Sequence, residues 1–153
     1  LLKKGNKMRI KKVKSSEKQN EVQEYGNKVN VYLYEREIIN EEQNQEVQVE
    51  YEYTVVSLDN RYAGDVVQVA KDILRNSLVL SARKARLVLL NIGKLADVES
   101  AILLMDEPNK SMAQVEWEYA TEIRRNHPFV EVLGVILNLS EDQVDMLFIK
   151  GAE

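Results

Sequence analysis

The side chains able to do chemistry are few and scattered. His127 is the only histidine and cysteine is absent, which excludes a disulfide framework, a thiolate metal site and a cysteine nucleophile together. A lone imidazole cannot assemble a usual zinc site, so no metal is expected. His127 stands just before Pro128, at the end of an apolar helical stretch, where a cation would suit the helix dipole; its reading is a helix-end or surface residue. Glu116, Glu118 and Glu122 raise the question of paired carboxylates. Glu118 and Glu122 would share a helix face at i and i+4, yet no third catalytic group accompanies them. Glu122 also lies three residues before Arg125, and a solvated ion pair is the simpler reading. Phosphate-cradling glycine loops, Gly-x-Ser-x-Gly elbows and HExxH patterns are all missing. The expectation is a non-enzyme without a cofactor.

Charge is distributed unevenly along the 153 residues. Residues 1–18 carry eight lysines and arginines against Glu17 alone, a charge of +7, so the remainder carries −11 to reach the net −4. A basic arm on an acidic body suits nucleic acid, an acidic partner or plain solvation, of which solvation is the commonest. Nucleic-acid contacts would fall to Lys11, Lys12 and Lys14 of the arm and to Arg83 and Arg86 of a later helix. A helix-turn-helix can be drawn over residues 81–105, but its second helix carries Asp97 and Glu99 where donors to bases or phosphates are wanted. Nucleic acid is therefore the less favoured partner. Met8 opens a run, MRIKKVK, that looks like a natural start, and the codons for Lys3 to Lys7 can spell a ribosome-binding site; the expectation is that Leu1 to Lys7 are not part of the natural protein.

The positioning elements follow from periodicity. Residues 14–28 are polar and read as a loop. In Val29 to Ile39, Val29, Val31 and Leu33 alternate with Asn30, Tyr32 and Tyr34. In Glu46 to Leu58, Val47, Val49, Tyr51, Tyr53 and Val55 share one face, opposite an acidic row of Gln48, Glu50, Glu52 and Thr54 expected to face water. The two runs form a hairpin through Asn40 to Gln45, with Met8 to Val13 a possible third strand. Beyond Asp59 the period becomes helical. The expected helices are Asp65 to Asn76; Ala82 to Ile92, capped by Ser81 and closed by Gly93; Leu95 to Met105; a central helix over Gln114 to Pro128; Phe129 to Leu139; and a last one opened by the capping-box pattern of Ser140 to Gln143. The central helix carries the only tryptophan and is apolar on two adjoining faces, which predicts that it is the middle of a cluster with core residues Val115, Trp117, Tyr119, Ile123, Leu89, Ile102, Leu133 and Phe148.

The fold class that results is α+β: an N-terminal antiparallel hairpin or small sheet followed by a C-terminal cluster of short helices. Its expected parts are a basic, partly disordered arm over 1–28, a hairpin lobe over 29–58 and a helical domain over 59–153. No apolar run approaches the roughly 18 to 20 residues of a membrane span, and no charged-then-apolar leader pattern is present.

Two segments carry a resemblance. Ser81-Ala82-Arg83-Lys84-Ala85-Arg86-Leu87, Leu89-Leu90, Gly93-Lys94-Leu95, Asp97-Val98-Glu99 and Ala101-Ile102 make the first. Val115-Glu116-Trp117-Glu118-Tyr119-Ala120, Arg124-Arg125, His127-Pro128, Leu139-Ser140 and Leu147-Phe148 make the second. Together, over about residues 80–149, they resemble the C-terminal segment of small proteins encoded in bacteriophage and prophage tail-fibre and baseplate regions. Lys84 departs from the glutamine common there, and His127 from a small residue. The resemblance implies a tail-associated structural or adaptor protein, in the virion or in the host cytoplasm during assembly, that acts on other tail proteins by protein–protein contact; a homo-oligomer is a further partner to be considered. The strand-rich half, outside the resemblance, is the expected docking surface, with Tyr32, Tyr34, Tyr51 and Tyr53 as candidate interface residues and ordinary cross-strand packing as their plain alternative.

Overall fold

The computed structural model describes residues 9–26, 28–41, 47–59 and 64–153. The start-site expectation for Leu1 to Lys7 and most of the hairpin turn lie outside the described residues. The chain is α+β, and it divides into two compact units, one ending at Leu74 and one spanning Arg75–Glu153.

The first unit is built on four antiparallel strands, β1 (Arg9–Ser15), β2 (Val22–Tyr25), β3 (Lys28–Glu41) and β4 (Val47–Asp59), in the order β1-β4-β3-β2. Long β3 and β4 hold the centre because β-branched and aromatic residues recur along them at period two. The possible third strand over Met8 to Val13 is present in its described part as β1, which pairs along β4, whereas the polar stretch expected to be a loop contains a second edge strand, β2, which pairs along β3. These edges satisfy the outer backbone groups of a hairpin that is marginal alone. Register fixes the faces: Val31 lies opposite Val56, Val29 opposite Leu58 and Leu33 opposite Thr54, and all six are buried. Thr54 thus belongs to the buried face, a correction to the solvent-facing row, because its cross-strand neighbour is Leu33. The same face changes character beyond the bulge at Leu33/Arg36, where Tyr34 takes φ 56° and Tyr34 and Glu35 both stand against Tyr53. The extra residue shifts the phase of β3, so that Arg36 rather than Glu35 follows Leu33 on that face. There Arg36 pairs with Glu52 at 2.9 Å and Lys14 with Glu50 at 3.4 Å.

α1 (Val66–Ser77) opens under Asp65, whose carboxylate accepts the Val67 and Gln68 N–H groups at 3.1 Å; its last turn lies in the second unit. That unit continues with β5 (Val79–Ser81), α2 (Ala82–Asn91), α3 (Leu95–Leu103), α4 (Asn109–Tyr119), β6 (Glu122–Arg124), α5 (Pro128–Ile136) and α6 (Glu141–Ala152). Ser81 caps α2 through the Lys84 N–H, Gly93 takes φ 70° just beyond it, and Ser140 with Gln143 forms the capping box of α6. Ser140, Ser81 and Gly93 act as their residue types predict.

The central helix is the main correction. It begins earlier, after Pro108, and ends at Tyr119, where Ala120 turns to an extended ψ of 133°. Glu122–Arg124 then pairs with Val79–Ser81, Leu80 opposite Ile123, and the Ala82 N–H donates to Thr121 C=O at 2.9 Å. The extended segment lays Ile123 against the cluster of Leu80, Ala85, Val130, Val144 and Phe148, which a continued helix would not do. A second cluster, Val98, Ala101, Ile102, Ala113, Leu133 and Leu137, receives Trp117 and Leu89 at its edge.

Candidate functional site

Asp145 lies on the buried side of α6, one residue after Val144 and three before Phe148, and is 0% exposed. An ionised carboxylate there must be met by donors. Arg125, 1% exposed, places its Nε 2.5 Å from Asp145 Oδ1 and a terminal nitrogen 2.7 Å from Glu141 Oε2. Arg75 approaches the same carboxylate with Nε at 2.8 Å from Oδ2 and also reaches Glu141 at 3.3 Å. Two guanidinium groups thus share one buried aspartate, and they bring the end of α1 and the residue after β6 to the first two turns of α6, where the dipole favours Glu141 and Asp142 of the first turn. Arg125 therefore does not pair with Glu122, as sequence spacing suggested; Glu122 stands in β6, 3.7 Å from Arg124. The end of the helix at Tyr119 also removes the Glu118–Glu122 helix face.

His127 is likewise relocated. It is the N-cap of α5, its Nδ1 accepting the Phe129 N–H at 3.3 Å, with Pro128 in the first helical position. The imidazole acts as an acceptor at a helix start, rather than as a cation at a helix end. Among the described residues no group of three or more His, Asp and Glu side chains is placed to hold a metal ion, and no helix is long and apolar enough to cross a membrane.

Arg86 has a structural post. Its guanidinium lies over the Trp117 ring at 5.0 Å and donates to the Trp117 carbonyl, one of the carbonyls that the end of α4 leaves without a helical partner. Arg83 is exposed on α2. Strand alternation sets Lys11 on the face opposite Lys12 and Lys14, and Lys14 already faces Glu50. The candidate nucleic-acid contacts are split between two faces of one strand and a helix of the other unit.

The four tyrosines differ in burial. Tyr53 is buried, accepts the Gln19 N–H at 2.9 Å, donates to Glu35 at 3.2 Å and meets Tyr32 edge to face at 5.5 Å. Burial pushes its phenol above the usual tyrosine range. Lys18 lies over Tyr51 at 5.5 Å and pairs with Glu35 at 2.9 Å. That hydrogen bond lowers the Glu35 pKa and raises that of Lys18. Tyr32, Tyr34 and Tyr51 are half-buried. The plain alternative of cross-strand packing describes this arrangement, and Tyr53 as an interface residue is corrected.

The core expectations divide in the same way. Ile102, Leu133 and Phe148 are buried, and Leu89, Trp117 and Ile123 are half-buried. Val115 and Tyr119 are 58% and 70% exposed, a correction with a simple geometry. α4 faces inward with Ala113 and Trp117, so residues two positions further along or back, Val115 and Tyr119, turn away.

Val115 lines a groove of about 1080 Å³ between the end of α3, α4 and α5. Leu104, Met112, Val115, Val132 and Ile136 line it and are all exposed. α5 is the decisive element: Val130, Leu133 and Gly134 are buried, while Val132, Val135 and Ile136 are exposed. It is apolar nearly all round, the pattern of a helix covered on both sides. The charged residues lining the groove are Asp106 and Glu116, joined by His127, with no lysine or arginine among them. A separate interior cavity of about 70 Å³, lined by residues including Leu80, Trp117, Ile123, Leu133 and Phe148, has no titratable side chain in its wall.

The fold and the groove define a class: an α+β chain with a helix-lined apolar groove. Compared with protein-family models, curated proteins and solved structures, the chain finds no match.

Proposed function

We propose that this chain is a non-enzymatic adaptor that acts by protein–protein contact, and that it serves among the tail proteins of a bacteriophage or prophage, at the fibre or baseplate or during their assembly. The observation that carries the contact reading is α5, whose exposed Val132 and Ile136 line one groove with Met112 and Val115 of α4. Contiguous exposed apolar surface of this kind costs solubility and marks an interaction site. The tail setting rests on the resemblance of residues 80–149. The docking surface moves from the strands to the helices, because the described edges β1 and β2 are respectively lysine-bearing and short, two devices that discourage strand addition.

The test is mass spectrometry of purified particles and of crosslinked lysate from an induced source bacterium. The expected result is this chain in fixed ratio to tail or fibre proteins in one of the two samples. A chain found in neither, abundant and uncrosslinked to any tail protein, would contradict the reading.

A further inference from the structure

The groove also restricts what can fill it, and the following rests on the adaptor reading just given. α4 and α5 are 11 and 9 residues long, or roughly 16 and 13 Å at the rise of an α-helix. The apolar floor therefore accommodates about three turns of a helix laid along it. No strand contributes to the lining, so no open ladder of backbone donors and acceptors is available to an extended peptide. Binding must come from side chains entering between Leu104, Met112, Val115, Val132 and Ile136. That is the helix-in-groove mode, with apolar anchors at i, i+3 or i+4, and i+7. Met112 gives the floor an adaptable wall.

Charge selects among helices. Asp106 and Glu116 stand at the groove without a lysine or arginine in its lining. A second copy docking groove to groove would bring no lysine or arginine to face Asp106 and Glu116, because an isologous contact presents the same lining on both sides. An acidic rim equally disfavours an anionic lipid surface. We infer that the groove takes an amphipathic helix of a partner protein that carries lysine or arginine beside its apolar anchors. Coulomb attraction across the rim then fixes the direction of the helix and speeds its encounter.

The experiment uses the whole chain as bait for a displayed library of helical peptides of about 14 residues, long enough to cover the groove. The best binder is then titrated by fluorescence anisotropy against wild type, Val132→Asp and the double variant Asp106→Asn/Glu116→Gln. Circular dichroism confirms that each variant is folded, and Val132, being exposed, should tolerate the change. The expected binders are amphipathic with lysine or arginine flanks. Val132→Asp weakens them by roughly a hundredfold or more, as removal of a central anchor does. The double variant weakens them by roughly tenfold and flattens the salt dependence.

No enriched peptide, binders with acidic flanks, or binders indifferent to Val132→Asp would overturn the inference. So would a homodimer, seen by sedimentation, that Val132→Asp dissolves. Binders that respond to Val132→Asp but not to the double variant would overturn the basic-helix assignment alone and leave the adaptor reading to the particle and crosslinking experiment.

Discussion

The two units distribute charge and apolar surface in opposite ways. The sheet unit keeps aliphatic residues such as Val31, Val55 and Val56 inside and pairs its charges at the surface, in Arg36–Glu52, Lys14–Glu50 and Lys18–Glu35. The helical unit buries the Arg125–Asp145 pair and leaves outside the large apolar residues of α4 and α5. Among the described residues, Leu104 just after α3, at 84% exposed, and Val135 of α5, at 79%, have no equal in the sheet, where Ile39 reaches 61%. A stretch that is stable by itself resembles the first pattern. The second pattern suits the proposed contact surface, with a buried polar clamp behind it. Such clamps are costly to break and contribute little when intact, so their effect is on geometry more than on stability.

Substitutions can break this contrast in order of expected size. Asp145→Ala leaves Arg125 and Arg75 without the carboxylate they share, and should lower stability by about 3–5 kcal/mol in denaturant unfolding. A loss below about 1 kcal/mol, the range of an exposed pair, would remove the distinction between the units. Gly151→Ala follows, since an added Cβ would stand 2.7 Å from Leu80 Cδ1 and 3.0 Å from Val88 Cγ2. Overpacking of that kind costs about 1–3 kcal/mol, and an unchanged melting temperature would show that α6 can shift away from β5. Ser140→Ala removes the cap of α6 and should cost about 1 kcal/mol, again read by thermal unfolding. At the lower end, Glu50→Ala in the sheet should change stability by no more than about 1 kcal/mol.

Titration sharpens the same comparison from the sheet side. Tyr53 is held neutral by burial, its pKa raised. In the unfolded chain a tyrosine ionises near about pH 10, so above that pH the unfolded state releases its proton first and the fold loses stability. Burial raises the Tyr32 pKa as well, so tyrosinate absorbance should show a late step that coincides with unfolding, and Tyr53→Phe should reduce its amplitude without abolishing it. A Tyr53 that ionises with the exposed phenols, before any unfolding, would contradict its place in the interior.

Local signals made most of the fold legible. Period-two runs found β3 and β4, and the capping residues Ser81 and Ser140 and the glycine at 93 found helix boundaries to within a few residues. Two kinds of feature were hidden. The bulge at Tyr34 and the turn from helix to strand after Tyr119 depend on pairings with residues far along the chain, Tyr53 and Leu80, which no local pattern displays. The groove was hidden for a different reason: a sequence records that α4 is apolar on two faces but not which face the protein itself covers. On that ground the sequence predicts Val115 and Tyr119 as core, whereas both are exposed. One available signal was passed over, because Asp145 sits between Val144 and Phe148 on an otherwise apolar helix face, and such an acid predicts a buried cationic partner.

The most direct measurement places a photocrosslinking residue at Val132 in one strain and at Ile39 in another, the exposed apolar positions of the two units, and identifies the crosslinked peptides from the producing cell. The account predicts that Val132 captures a basic amphipathic segment of a tail protein while Ile39 captures no tail protein. Equal capture at both positions, or capture of a tail protein at Ile39 alone, would contradict it.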